Sequence, residues 1–238
     1  MESQDTATLY LLKIWPALEA NKNRVIGGLI AVVLVILLVL LMSWQRDQKE
    51  VDAGQAVSQL MVSSQPNATP AQLAAQYLKI AGDYAGTQAA QRAQLQGAAI
   101  LFTAGDYAGA QAQFQKFVDA DPASPQIATA ELGVASCLEA LGRTDAAVDA
   151  YQKVIGAEGT SPTTLSAQFA LGRIMEGQGK ISEALKYYQP LARSVPNTTL
   201  GHQAALKAAE LNANLAAKTT VTAAPKTPGA IQLTAPAK

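Results

Sequence analysis

The sequence predicts an all-α protein in which an amino-terminal transmembrane helix is followed by an α-solenoid of stacked helix pairs. Three observations carry that prediction. Val25 to Met42 is an unbroken run of apolar residues and glycine without a charge, closed by Arg24 on one side and Arg46 on the other. Glycines, alanines and aromatics then return at a fixed spacing: Gly105, Gly142 and Gly179 stand 37 residues apart, as do Ala110, Ala147 and Ala184, and Phe114, Tyr151 and Tyr188. The composition is rich in Ala and Gln and poor in β-branched residues outside the apolar run, which favours helix.

The apolar run is the first element. At about 1.5 Å of rise per residue, 18 to 20 residues cover about 30 Å, the thickness of the hydrocarbon layer. Trp44 stands at its exit edge, where an amphipathic ring prefers the interface. A cleaved signal peptide has an apolar region of about 7 to 15 residues followed by small residues. This run is longer, and Met42-Ser43-Trp44-Gln45 is a poor cleavage site. An uncleaved signal anchor over residues 25–44 is therefore expected, in contact with membrane lipid. Lys13, Lys22 and Arg24 precede it and only Arg46 and Lys49 follow it closely. The positive-inside rule leans, by that margin, toward a cytoplasmic amino terminus, with the repeats outside the cytoplasm.

Five segments follow from this reading: a lead over residues 1–24, the transmembrane helix over 25–44, a helical linker and degenerate repeat over 45–87, three repeats and a closing helix over 88–217, and a tail over 218–238. In the linker, Val51, Val57, Leu60 and Met61 are expected on one side of a helix, and Ser63-Ser64-Gln65-Pro66-Asn67 breaks it. A second helix runs from about Pro70 to Ala81. Tyr77 lies 37 residues before Phe114, which makes this pair a worn leading unit.

Each repeat holds a helix A, a glycine turn and a helix B. Repeat one has helix A over about 88–103 and helix B to Ala120. Repeat two begins its helix A at Pro125 and ends helix B at Ile155, and repeat three runs from Pro162 to Arg193. Ser124-Pro125 and Ser161-Pro162 mark the same boundary, with serine as cap and proline in the first helical position. The turn glycines supply the left-handed backbone that ends helix A. The alanines let helix B approach helix A, and the aromatics one turn later fill the space between units. Leu200, Leu206 and Leu211 place a closing helix over the last apolar face. The Thr, Ala, Pro and Lys tail from Lys218 lacks the apolar content of a fold.

Composition argues against several functions. The formal net charge is zero and aromatics are 5%, which supplies neither the basic patch nor the stacking surface of a nucleic-acid binder. Cys137 is the one cysteine and His202 the one histidine. The two lie in different helical units and form neither a disulfide nor a metal site by themselves. A packed thiol and a surface imidazole are the reading adopted. No phosphate-cradling loop or dinucleotide fingerprint occurs. No enzyme activity, cofactor or small-molecule substrate is expected. A hydrolase using Cys137 or His202 remains as the contrary hypothesis.

The pattern of Gly105, Tyr107, Ala110, Phe114 and a closing Pro122 resembles the tetratricopeptide repeat. Gly179, Ile181, Ala184, Tyr188 and Pro196 repeat it, and repeat two has Gly142, Thr144, Ala147 and Tyr151 with Gly159 in the proline's place. The family's usual period is 34, so this chain departs by three residues. The wider layout, with Asn21-Lys22-Asn23-Arg24 before one membrane helix, Trp44 after it and an Ala/Gln-rich repeat region beyond, resembles the bacterial YfgM family, as does Tyr84-Ala85-Gly86-Thr87. That resemblance implies an inner-membrane protein with a periplasmic repeat domain. It implies partners among SecYEG translocon subunits, a membrane-anchored periplasmic chaperone and the emerging polypeptide. A cell-envelope assembly or division scaffold of the same fold is the alternative.

The inner surface of such a stack is lined mostly by helix A. Counted back from each turn glycine, the residues free of packing duties are Arg92 and Gln96, then Thr129, Ser136 and Glu139, then Arg173 and Glu176. This mixed and mostly uncharged set suits an extended peptide or a helix from another protein.

Overall fold

The computed structural model describes residues 22–63, 68–157, 159 and 161–222. Among these residues the elements are all helical: α1 (Lys22–Ser63), α2 (Pro70–Asp83), α3 (Gln88–Thr103), α4 (Tyr107–Ala120), α5 (Ile127–Ala140), α6 (Thr144–Ala157), α7 (Pro162–Gly177), α8 (Ile181–Ser194) and α9 (Thr199–Thr222). Residues 1–21 of the predicted lead over 1–24, Ser64 to Asn67 of the predicted break and residues 223–238 of the predicted tail lie outside the described residues. The chain divides into two compact units, Met1–Gln94 and Leu95–Lys238, with the division inside α3.

In the first unit, α1 holds the apolar run. Ile26–Val62 is the one stretch among the described residues that is long and apolar enough for a helix to cross a membrane, and none of its most apolar window is buried. Past Trp44 the same helix turns amphipathic and buries Ala53 and Leu60, seven residues and two turns apart on one face. Helix α2 buries Ala74 and Tyr77 and packs on α1. Its start follows from sequence alone: Thr69 accepts from the Gln72 amide, Gln72 reaches back to the Thr69 amide, and Pro70 takes the first helical position.

The expected apolar side of this part of α1 needs correction. Leu60 is buried, but Val51 and Met61 are 54% and 61% exposed. The inner position belongs to Ala53, whose small side chain allows the close approach of a second helix.

In the second unit, helix pairs follow the 37-residue period. Gly105, Gly142 and Gly179 have φ of +85°, +73° and +73°, the left-handed conformation expected at the end of helix A. Each turn closes the same way. The amides of Asp106, Arg143 and Lys180 donate to the carbonyls of Leu101, Leu138 and Met175, five residues back. Ala110, Ala147 and Ala184 are fully buried, with Phe114, Tyr151 and Tyr188 beside them. A cluster around Phe114, Phe117, Ala130 and Cys137 forms the core of the first repeat boundary, and a larger one from Ala135 to Leu211 holds the rest.

Two boundaries differ from expectation. Ser161 caps α7 as predicted, accepting from the Thr164 amide at 3.2 Å with Pro162 following. At Ser124-Pro125 the hydroxyl instead accepts from Gln126 at 3.3 Å, a bond that makes a turn, and α5 starts only at Ile127. The closing helix α9 continues to Thr222 and buries Ala204, Ala208 and Leu211, but leaves Leu206 71% exposed. Gly201 is buried against the backbone carbonyl of Val195, where a Cβ has no room.

Candidate protein-interaction surface

The seven residues proposed for a partner-binding face have different surroundings. Arg92 is exposed in the first unit, within 3.4 Å of the Gln88 side chain. Gln96 and Thr129 are exposed in the second. The other four are joined to one another or to neighbouring helices. Tyr151 Oη donates to Glu139 at 2.8 Å and lies 3.2 Å from Ser136 Oγ. The other oxygen of Glu139 accepts from Arg173 Nη2 at 2.8 Å. One period later, Tyr188 Oη donates to Glu176 at 2.9 Å, and Glu176 accepts from Lys207 Nζ at 2.9 Å.

These bonds form a ladder. A carboxylate on helix A is shared between the aromatic hydroxyl of its own helix B and a cation on helix A of the next pair. Glu139 and Glu176 are 37 residues apart, as are the tyrosines they hold. Repeat one lacks both members together: Phe102 stands in the glutamate's register and Phe114 in the tyrosine's. In repeats two and three each buried phenol donates a hydrogen bond to a carboxylate, and among the described residues no buried side-chain oxygen or nitrogen lacks a partner. Phe102 packs edge-on against Tyr107 instead, with ring centroids 5.2 Å apart.

Burial first, and then the neighbouring carboxylates, push the Tyr151 and Tyr188 phenols well above their ordinary range. Both stay neutral donors at any physiological pH. The ion pairs are more exposed, Arg173 being 60% accessible, so the Arg173–Glu139 pair by itself contributes register more than stability. The ladder leaves Gln96, Thr129 and the outer side of Arg173 as the accessible part of the predicted set in the second unit.

A contact that sequence reasoning missed lies in the first unit. Glu50 on α1 accepts from the amides of Gln88 at 2.7 Å and Ala89 at 2.9 Å, the first two amides of α3. Thr87 Oγ1 accepts from Ala90 at 3.0 Å. Three of the four amides that a helix start leaves unpaired are thus held by side chains, two of them by a carboxylate in the field of the helix dipole. Thr87 was visible in Tyr84-Ala85-Gly86-Thr87. Glu50 lies 38 residues earlier, and no local pattern reveals it.

Cys137 is buried, and burial raises its thiol to about 11, so it is a packed neutral thiol. His202 is exposed on α9. Among the described residues no cluster of three or more His, Cys, Asp or Glu has the makings of a metal site.

The model of the tetratricopeptide repeat-like domain family matches residues 18–213. No curated protein matches the sequence. Among solved structures the chain is similar to the nearly identical TPR-like repeats assigned to a kinesin light chain of Podosopora anserina. There the identity is 13%, the TM-score 0.53, and the match covers 74% of this chain and 91% of that one. It is also similar to the type III secretion translocator chaperone SycD of Yersinia enterocolitica, at 17% identity and a TM-score of 0.46, over 54% of this chain and 93% of that one. At such identities the first likeness speaks for the fold alone.

Proposed function

The chain belongs to the tetratricopeptide repeat-like family, and on that premise we propose that it is a membrane-anchored periplasmic scaffold that binds protein partners through its repeats. Its place is the SecYEG translocon, together with a periplasmic chaperone or the emerging polypeptide. The observation that carries the reading is the joining of one exposed, wholly apolar helical segment to a stack of helix pairs in a single chain. Repeats of this architecture use their surfaces to hold other proteins.

Residues 25–44 lie in the inner membrane as an uncleaved anchor, with the amino terminus in the cytoplasm. The length of the run and the poor cleavage site after Met42 support an anchor over a signal sequence. The continuous α1 supports it too, because one helix carries both the apolar run and the Glu50, Ala53 and Leu60 contacts of the first unit. In the second unit the partner meets Gln96, Thr129 and the exposed side of Arg173, with Ser136, Glu139 and Glu176 setting the spacing of that face from beneath; Arg92 is a separate candidate contact in the first unit. The burial of Cys137 argues against its use as a nucleophile.

A pull-down of the tagged full-length protein from solubilised membranes tests the partner assignment. Recovery of channel and chaperone subunits is expected. Recovery of envelope assembly or division proteins alone would move the scaffold to that role. A periplasm-only reporter fused at Lys238 should be active, and activity of a cytoplasm-only reporter there would overturn the orientation.

A further inference from the structure

The closing helix carries one face too many. In repeats two and three, helix A has two packing sides, one against the preceding helix B and one against its own. Helix α9 stands in the helix A register: Gly172 on α7 corresponds to Ala209, Phe169 to Leu206, Met175 to Asn212 and Glu176 to Ala213, each 37 residues on. On the side toward α8, α9 is buried through Ala204, Ala208 and Leu211. On the other side, the positions that α7 covers with its helix B are open. Gly172 and Met175 are buried and Phe169 lies against Tyr188 with ring centroids 5.4 Å apart. Their counterparts Ala209 and Asn212 are exposed, and Leu206 is 71% exposed.

We propose that the outer face of α9, centred on Leu206, Ala209 and Ala213, takes an amphipathic helix from another polypeptide. That helix would complete in trans the pair that α9 begins. Its chemistry follows from the register. In repeats one and two an alanine, Ala98 or Ala135, occupies the place of Ala209, and the facing helix B carries a small residue with an aromatic four positions later, Ala110 and Phe114 or Ala147 and Tyr151. The open face carries the exposed His202 one turn before Leu206, and its other charged groups lie on the flank, where Lys207 is already held by Glu176 and Glu210. The partner helix therefore offers an alanine and an aromatic on an otherwise apolar stripe, with its charges turned outward. Residues 223–238 do not read as that helix, because Pro225, Pro228 and Pro236 fall too close together for a 14-residue helix B. A second copy has its own three B helices engaged on their own A helices.

The test uses the full-length protein in detergent and a fluorescent peptide with the sequence of residues 144–157, stapled because so short a helix is marginal alone. Saturable binding is expected, weakened about ten-fold or more by Leu206→Glu or by Ala209→Arg and equally by Tyr151→Ala in the peptide. Both protein positions are exposed, and an unchanged circular dichroism melt verifies the fold of each variant. Absence of saturable binding, or binding indifferent to the protein substitutions or to the peptide aromatic, would overturn the proposal. So would a dimer without peptide that Leu206→Glu dissociates, which makes a second copy the occupant. So would tighter peptide binding by an Ile231→Lys, Leu233→Lys variant, which makes the chain's own tail the occupant. The proposal rests on the scaffold reading. Loss of peptide binding beside an intact translocon pull-down removes this face and leaves that reading standing.

Discussion

Replacing Glu139 by alanine removes two hydrogen bonds of different worth. The bond from Arg173 is 2.8 Å long but the arginine is 60% exposed, so its loss costs about 0.5 kcal/mol. The bond from Tyr151 is also 2.8 Å, but that ring is only 2% exposed, and its hydroxyl is left with Ser136 at 3.2 Å. A hydrogen bond to a charged acceptor is worth about 1.5 to 3 kcal/mol, and the serine recovers part of that. A total of about 2 kcal/mol is expected for Glu139→Ala. Tyr151→Phe removes the hydroxyl itself and leaves the carboxylate with Arg173, for about 1 kcal/mol. The double variant leaves no orphaned group on this rung, which is the condition repeat one adopts with Phe102 and Phe114. Its cost should fall short of the sum by about 1 kcal/mol. Urea denaturation of the full-length protein in detergent, followed at 222 nm, measures all four corners of this cycle. Additivity within about 0.3 kcal/mol would refute the idea that carboxylate and phenol act as one unit.

Other perturbations have equally definite outcomes. Gly201→Ala drives a methyl group against the Val195 carbonyl, which is backbone and has little freedom to move, and should cost about 2 to 3 kcal/mol in the same denaturation experiment. Glu50→Ala strips the side-chain acceptor from the first two amides of α3. Hydrogen exchange at Gln88 and Ala89 should accelerate about ten-fold, while the amides of α7 keep their protection. The Cys137 thiol sits at about 11 in the folded protein against 9.0 for a free thiol. A raised acid favours the folded state below the unfolded value and loses that contribution as pH climbs through the folded one, so stability should fall between about pH 9 and 11. The raised Tyr151 and Tyr188 phenols act in the same direction at higher pH. Stability at pH 10.5 equal to that at pH 8 would contradict both. At neutral pH, Ellman's reagent should label Cys137 only after denaturation.

Much of this fold is legible in the sequence because the repeat period ties together residues whose duties are local. A left-handed glycine, an alanine five residues later and an aromatic one turn beyond fix a turn and a helix contact within ten residues. Gly105, Gly142 and Gly179 stand where that reading puts them. Longer links are less visible. The approach of Glu50 to α3 spans a distance no helical period encodes. In α1 the larger Val51 and Met61 drew the expected contact face away from Ala53, although close helix approach selects small residues.

The surroundings of the residues in the predicted partner face are legible in part. Glu139, Arg173 and Glu176 look free when helix A is considered alone, because polar residues on an amphipathic helix normally face water. Their bonds reach the adjacent helices. The signal for the ladder was available: the glutamates share the 37-residue period with the tyrosines, and both vanish together in repeat one. Leu206 presents the opposite case. An apolar residue in a closing helix suggests burial, whereas its register puts it on the side where no helix follows among the described residues.

The central claim is that a membrane-tethered stack of helix pairs holds another protein. Site-specific photocrosslinking in intact membranes tests it most directly, with a photoreactive residue introduced singly at Gln96 and Thr129 and, as a control, at Lys116 on the exposed side of helix B. The account predicts discrete protein adducts from the helix A positions, containing channel or chaperone subunits, and none from Lys116. Equal adducts from all three positions, or none from Gln96 and Thr129, would contradict it.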